Sequence, residues 1–373
     1  MQGPLGSLVQ PMLRSAILFF FFSLLALAGC GTNGRGGPGE AETPEVPRPY
    51  TPCCGAQPAP GSLSDTGLPS DGPGPLRFVK TQKTYEDTER SRSILTDVFL
   101  PSEDGLSPSD SGGPYPLVVV VHGFSGSKDL MTSYGERLAT WGYVALVPML
   151  PCSSFLDVFC LSHTESARDV LFLLNSVCCE TGEESSIFFG LVDRSRLGCL
   201  GHSLGGKLCT LAALMDGSIR AVAGLDPVDG ADPAGLLEGD PDFPDLAPAL
   251  LPDLKIPTLY LGGTEPDSIL GLECAPRSQN FHAFWLASPS PAVEIEVQGA
   301  DHTDFVDQSF LFRLLDPCNT GTADEKVVKD LARKYAVAFF QDRLRGWERF
   351  RSDYAGSGVE ADAALGRVAW QAK

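Results

Sequence analysis

Positive charge is scarce in this chain: 28 Lys and Arg stand against 47 Asp and Glu, for a formal net charge of −19. Nucleic-acid binding needs a basic footprint, so that class is not expected. Unaided adsorption to an anionic lipid surface is disfavoured for the same reason. Histidine is scarcer still, five in 373 residues, so elimination becomes informative when a general base is sought. No cysteine pair has C-x2-C spacing and no histidine pair follows at finger-like distance, so no zinc or other metal site is expected. No internal repeat is present. The longest apolar run, 15–28 (S-A-I-L-F-F-F-F-S-L-L-A-L-A), is too short to span a bilayer comfortably. What remains is an ordinary globular composition, 43% hydrophobic and 20% charged, with length for one large α/β domain plus appendages.

That apolar run has the form of a targeting h-region behind a short n-region at Met12, Leu13 and Arg14. It ends in Leu27-Ala28-Gly29-Cys30, which resembles the lipobox of bacterial lipoproteins, where the matching cysteine is lipidated and becomes the new N-terminus. The resemblance implies a signal peptide over 1–29 and export. It also implies a lipid anchor at Cys30, in a bacterial membrane, facing periplasm or exterior. Eleven cysteines less Cys30 leave ten, an even number in an oxidising compartment, so disulfides are expected. Cys152 with Cys160 and Cys274 with Cys318 are candidate pairs; Cys53-Cys54 and Cys178-Cys179 are vicinal.

Residues 30–76 are rich in Gly, Pro, Ser and Thr and offer little apolar surface to offset ordering entropy, so a disordered tether is expected there. The folded domain is expected over 77–350, with 351–373 a weakly helical or frayed tail. Strands are expected at 93–100, 117–121, 143–148, 197–200, 221–225, 258–262 and 292–297. Helices are expected at 128–141, 162–177, 207–215 and 323–345. Buried strands alternating with helices argue for a mostly parallel central sheet covered by helices on both faces.

The chain is organised around 196–210, R-L-G-C-L-G-H-S-L-G-G-K-L-C-T. A short apolar strand turns abruptly through Gly201-His202-Ser203-Leu204-Gly205-Gly206 into a helix. G-x-S-x-G alone is common in Gly-rich sequence; between a strand and a helix it is the form of a nucleophile elbow, and Ser203 is the candidate nucleophile. A serine hydroxyl needs a base within hydrogen-bond reach. His122 follows a buried strand, His202 lies inside the elbow facing away from where a base must stand, His163 precedes a helix, and His282 sits in an aromatic segment. His302 follows the last strand in G-A-D-H-T-D-F, at the carboxyl edge where ligands gather, and is the candidate base. For the orienting acid, Asp226 ends a buried strand in G-L-D-P-V-D-G, while Asp267 lies in a looser loop beside Glu265. Asp226 is preferred. The backbone N–H groups of Leu204 and Phe124 are the candidate oxyanion donors.

At this point the sequence resembles the α/β-hydrolase superfamily over about 77–345, and within it the chlorophyllase, platelet-activating-factor acetylhydrolase and dienelactone hydrolase-like branch. The residues that carry the resemblance are P-L-V-V-V-V-H-G-F (116–124), W-G-Y-V-A-L-V-P (141–148), D-R-S-R-L-G-C-L-G-H-S-L-G-G (193–206) and G-L-D-P-V-D-G (224–230). They continue in I-P-T-L-Y-L-G (256–262), E-C-A-P (273–276) and G-A-D-H-T-D-F (299–305). The resemblance implies the α/β-hydrolase fold and places the triad acid at Asp226. Chlorophyllases commonly carry Arg where this chain has Leu204. The expected function is hydrolysis of a small carboxylic ester through an acyl-enzyme, without metal or organic cofactor. The alternatives are a chlorophyllase-like hydrolase of long-chain or pigment esters, and a non-catalytic lipoprotein that binds a hydrophobic ligand.

Overall fold

The computed structural model describes residues 63–151, 161–230, 240–265, 268–269, 272–308, 318 and 320–373. An antiparallel hairpin comes first, β1 (Arg77–Asp87) and β2 (Arg92–Ser102). The chain then alternates: β3 (Tyr115–Val121), α1 (Thr132–Thr140), β4 (Val144–Met149), α2 (His163–Glu180), β5 (Val192–His202), α3 (Leu204–Met215), β6 (Ile219–Leu225) and β7 (Thr258–Gly263). After the short pair β8 (Ser268–Ile269) and β9 (Leu272–Glu273) come α4 (Phe281–Ala287), β10 (Ala292–Val297), α5 (Glu325–Arg345), α6 (Arg351–Ala355), α7 (Ser357–Ala364) and β11 (Val368–Ala372).

Nine of these strands form one sheet in the order β1-β2-β4-β3-β5-β6-β7-β10-β11. The run from β4 through β10 is parallel throughout, while β1, β2 and β11 pair antiparallel at the two edges. This is the expected fold, a mostly parallel sheet between helices. Its central strands are near-continuous apolar runs because both faces are covered: all seven residues of β3 are buried. On one face Val119, Val121 and Cys199 pack with Val170 and Leu174 of α2, Leu208 of α3, and Phe281 and Phe284 of α4. On the other, Val118, Val120 and Leu200 pack with Leu138 of α1 and with Tyr335, Phe339 and Phe340 of α5. Alternate residues of one strand thus serve two cores, as the twofold side-chain period of a strand requires.

Both ends of the folded region differ from expectation. Residues 63–76, counted with the tether, are docked on the body. The Leu63 N–H donates to Gly112 O at 3.2 Å, the Trp141 indole to Gly72 O at 3.0 Å and the Leu76 N–H to Thr140 O at 3.1 Å. Arg349 forks onto the Asp65 carboxylate, and Ser70 Oγ donates to Asp353 at 2.7 Å. Composition missed this because the segment is held by hydrogen bonds rather than by apolar burial. Starting the chain at Arg77 is therefore expected to lower Tm by about 5 °C or more. That figure takes about 1 kcal/mol per lost bond and roughly 2 °C per kcal/mol. Calorimetry of chains beginning before Leu63 and at Arg77 checks it. At the other end, 351–373 is neither frayed nor simply helical: β11 adds an antiparallel edge to β10, from Val368 opposite Val297 to Ala372 opposite Val293.

Cys274 pairs with Cys318, one of the two candidate pairs, and Cys199 pairs with Cys209, which the sequence did not suggest. Cys179 is disulfide-bonded, whereas its neighbour Cys178 is a buried free thiol that burial pushes up to about 11. Cys30, the signal segment and the proposed Cys152–Cys160 pair lie outside the described residues. Among the described residues no helix is long and apolar enough to cross a membrane.

Candidate active site

Strand β5 delivers the chain to Ser203 at φ 54° and ψ −124°, and α3 begins at the next residue. That conformation is costly for a residue with a Cβ. Glycines make the crossing possible. A Cβ on Gly201 would run into the Gly205 carbonyl, one on Gly205 into Val121 O, and one on Gly206 would stand 2.7 Å from Pro227 Cβ. The turn is then pinned on both sides, Ser203 N–H donating to Leu225 O at 3.0 Å and Val228 N–H to Ser203 O at 3.3 Å. The Cys199–Cys209 disulfide ties strand to helix across the same turn.

Beside the elbow lies the turn after β3. An ideal Cβ on Gly123 would sit 2.9 Å from Ser203 Cβ, so the two backbones meet at that serine. His122 is wholly buried and its tautomer follows from its partners. The Leu150 N–H donates to Nε2 at 3.2 Å, so Nδ1 carries the hydrogen and donates to Gly123 O at 2.8 Å. Gly123 O also accepts from Gly126 N–H at 3.0 Å, which closes the turn around Phe124 and Ser125. Leu204, as the first residue of α3, has an N–H with no partner inside the helix, the arrangement that an oxyanion donor requires.

His302 stands in the loop after β10, and its Nδ1 is 2.7 Å from Asp226 Oδ2. Against a carboxylate, Nδ1 is the donor, which leaves the lone pair on Nε2. Both residues are buried. Burial raises the pKa of Asp226, with the His302 hydrogen bond acting in the opposite sense. Asp226 Oδ1 is buried without a hydrogen-bond partner, so His302 is the one donor to that carboxylate among the described residues. Of the alternative acids, Asp267 lies outside the described residues, while Glu265 joins the His302 loop through its backbone N–H to Ala300 O. No hydrogen bond joins Ser203 Oγ to His302 among the described residues; in enzymes that use a serine–histidine pair, that bond is often long until substrate binds.

Sequence reasoning missed two contributors. His202 does not face away from the candidate base: its ring lies 4.7 Å from that of His302, and its Nε2 donates to His302 O at 2.8 Å. Asp301, fully buried, organises the His302 loop. Its Oδ1 accepts from the N–H groups of Thr303 and Asp304, and its Oδ2 from those of Thr320 and Gly321, at 2.7 to 2.9 Å. The Asp-x-Thr-Asp pattern at 301–304 was the available signal, since Asp commonly bonds backbone two residues on. Strain also marks the site. Of the four non-glycine residues with positive φ among the described residues, three are Ser125, Ser203 and Asp226.

The other histidines are elsewhere. His282 pairs with Glu294 at 2.7 Å. His163 is buried with its ring 5.0 Å from that of Phe243, and burial drives it down to about 3. In the unfolded chain a histidine titrates near 6.5, so between about 3 and 6.5 the unfolded state binds more protons, and stability falls as pH falls through that window. His163→Phe is expected to flatten the decline of Tm between about pH 7 and pH 4. An unchanged decline, by calorimetry, would place the acid sensitivity elsewhere. No group of three or more His, Cys, Asp or Glu suited to a metal occurs among the described residues.

Residues 101–355 match the family model described as chlorophyllase. The chain belongs to the chlorophyllase family. Ser203, Asp226 and His302 all lie inside the matched span, whereas α7 and β11 lie beyond it. A protein of Methylorubrum extorquens assigned as a carboxymethylenebutenolidase is 28% identical over 194 residues, 47% of this chain and 62% of that one. The bis(hydroxyethyl) terephthalate hydrolase of Streptomyces coelicolor is 24% identical over 254 residues, 65% of this chain and 69% of its own. Chlorophyllase-2 of Arabidopsis thaliana is 25% identical over 209 residues, 52% and 62%. The alignment thus spans less than two thirds of the first and third of these relatives.

Proposed function

We propose that this chain is a serine hydrolase of uncharged carboxylic esters. The observation that carries the reading is the 2.7 Å bond between His302 Nδ1 and Asp226 Oδ2, which fixes the nitrogen left to act as base. Ser203 Oγ attacks the ester carbonyl while its proton passes to His302 Nε2. The N–H groups of Leu204 and Phe124 stabilise the oxyanion, and Asp226 stabilises the imidazolium. The carbon–alkoxy bond then breaks as Nε2 returns the proton to the leaving alcohol. Water, deprotonated by Nε2, attacks the acyl carbon, and Ser203 leaves with the proton. A net charge of −19 favours a neutral ester over an anionic one. The names of the three relatives, hydrolases of a lactone, a terephthalate ester and a pigment ester, support the same class.

Intact-mass analysis after fluorophosphonate treatment tests this. One adduct, mapped by proteolysis to the peptide carrying Ser203, is the expected result; no adduct on folded protein would favour the ligand-binding alternative. Turnover of p-nitrophenyl butyrate against a long-chain or pigment ester then separates a general esterase from a chlorophyllase-like enzyme. The proposal extends to location: a lipid on Cys30 anchors the enzyme to the membrane after export. Cys30→Ser is expected to move the protein from the membrane to the soluble fraction and to abolish palmitate incorporation; unchanged fractionation and labelling would remove the anchor.

A further inference from the structure

Lys207 takes no part in the steps above, yet it is completely buried, a state in which lysine almost never occurs unless paired. It stands in the first turn of α3, four residues after Ser203. Its Nζ donates to the main-chain O of Asp229 and lies 3.2 Å from Asp229 Oδ1. The Asp229 carboxylate also accepts the N–H groups of Leu246, at 2.9 Å, and Ala247, at 2.7 Å. Asp229 N–H donates to Gln279 O at 2.8 Å.

Asp229 is three residues beyond Asp226, and the orientation of Asp226 has few supports. Its Oδ1 has no partner, so no second donor steers the carboxylate toward His302. Its direction must come from its backbone, which is held at φ 41°. A residue in that region persists only where its surroundings over-determine it. On the near side the Asp226 N–H donates to Leu261 O at 2.6 Å. On the far side the loop is fastened to the elbow and α3 in three places: Val228 N–H on Ser203 O, Gly206 against Pro227, and Lys207 on Asp229. An apolar side chain would fill the same slot without the desolvation cost of a buried pair. The cation contributes something an apolar residue cannot, a directed bond to one carbonyl of the loop that carries the acid.

We infer that Lys207 is a positioning residue for the triad acid: its buried bond to Asp229 sets the backbone of 226–229 and so aims the Asp226 carboxylate at His302. The inference rests on the Ser203–His302–Asp226 reading.

The test compares wild type, Lys207→Met and the double variant Lys207→Met/Asp229→Asn. Each is assayed for fluorophosphonate labelling rate, for kcat and KM on p-nitrophenyl butyrate, and for Tm. Lys207→Met is expected to lose about 10- to 100-fold in kcat and in labelling rate, with KM changed by less than about threefold. It also leaves Asp229 buried and uncompensated, so its Tm falls. The double variant removes both charges and is expected to recover most of the Tm while kcat stays at least about tenfold down. Recovery of kcat together with Tm, or wild-type kcat in a folded Lys207→Met, would overturn the inference and leave Lys207 as packing. Wild type that takes up no fluorophosphonate would instead overturn the triad reading itself.

Discussion

Ser203→Ala is expected to lower ester turnover by about a millionfold and to abolish fluorophosphonate labelling. The size follows from how a triad works: the serine and its base act as a unit, and without the serine only the oxyanion donors and substrate binding remain. Those retain about a thousandfold acceleration over water. The fold should hardly notice. Ser203 is half-buried, its side chain contributes no cap to α3, and alanine keeps the Cβ that the elbow already accommodates. Tm is expected to move by less than about 2 °C. Measurement of kcat in protein free of wild-type carry-over, beside a melting curve, separates this from simple unfolding. Substantial turnover in a folded Ser203→Ala would put the nucleophile elsewhere.

Asp226→Asn is expected to cost about ten-thousandfold in kcat while stability holds or improves. The amide keeps the shape of the carboxylate but brings no negative charge to the imidazolium. It can also turn its N–H toward His302 Nδ1, which would put the proton on Nε2 and remove the base. Stability goes the other way because the native carboxylate is poorly provided for, buried with Oδ1 unpartnered and with its pKa raised by that burial. A folded-state pKa above the unfolded value means that the native state holds its proton longer, so the contribution of Asp226 to stability declines as pH rises through the folded pKa. The Tm difference between variant and wild type should therefore shift in favour of Asp226→Asn as pH is raised from about 4 to 8. A difference that moves in the opposite direction would show that the carboxylate is a net support of the fold.

The strand-to-helix turn at Ser203 and the meeting of Asp226 with His302 could be read from the sequence because each residue carries a local signal. Gly201, Gly205 and Gly206 flank Ser203 at the spacing the crossing demands, and Asp226 and His302 follow buried apolar strands. The alternation of strands and helices likewise announced the sheet. What stayed illegible depends on partners far along the chain. β1 exposes or half-exposes most of its residues, and β11 is short, so neither carries an apolar run; each exists because a neighbouring strand offers an edge. Residues 63–76 look like tether until Arg349 and Asp353, nearly three hundred residues away, supply their bonds. The Cys199–Cys209 pair was hidden because a strand and the helix after it are brought face to face only by the elbow. Lys207 and Asp229 are hidden in the same way: in sequence they are an ordinary lysine and an ordinary turn aspartate.

The positive φ at Ser203 has a consequence for how this lineage can drift. Glycine at that position would relieve roughly 1–3 kcal/mol of backbone strain, a change reachable by ordinary substitution and welcome to a chain judged on thermal robustness alone. A descendant released from the need to react would therefore tend to lose the serine first and to become hardier for it. In this chain the strained serine stands between Gly201 and Gly205, which on the proposed reading is the state expected of a sequence held to that chemistry.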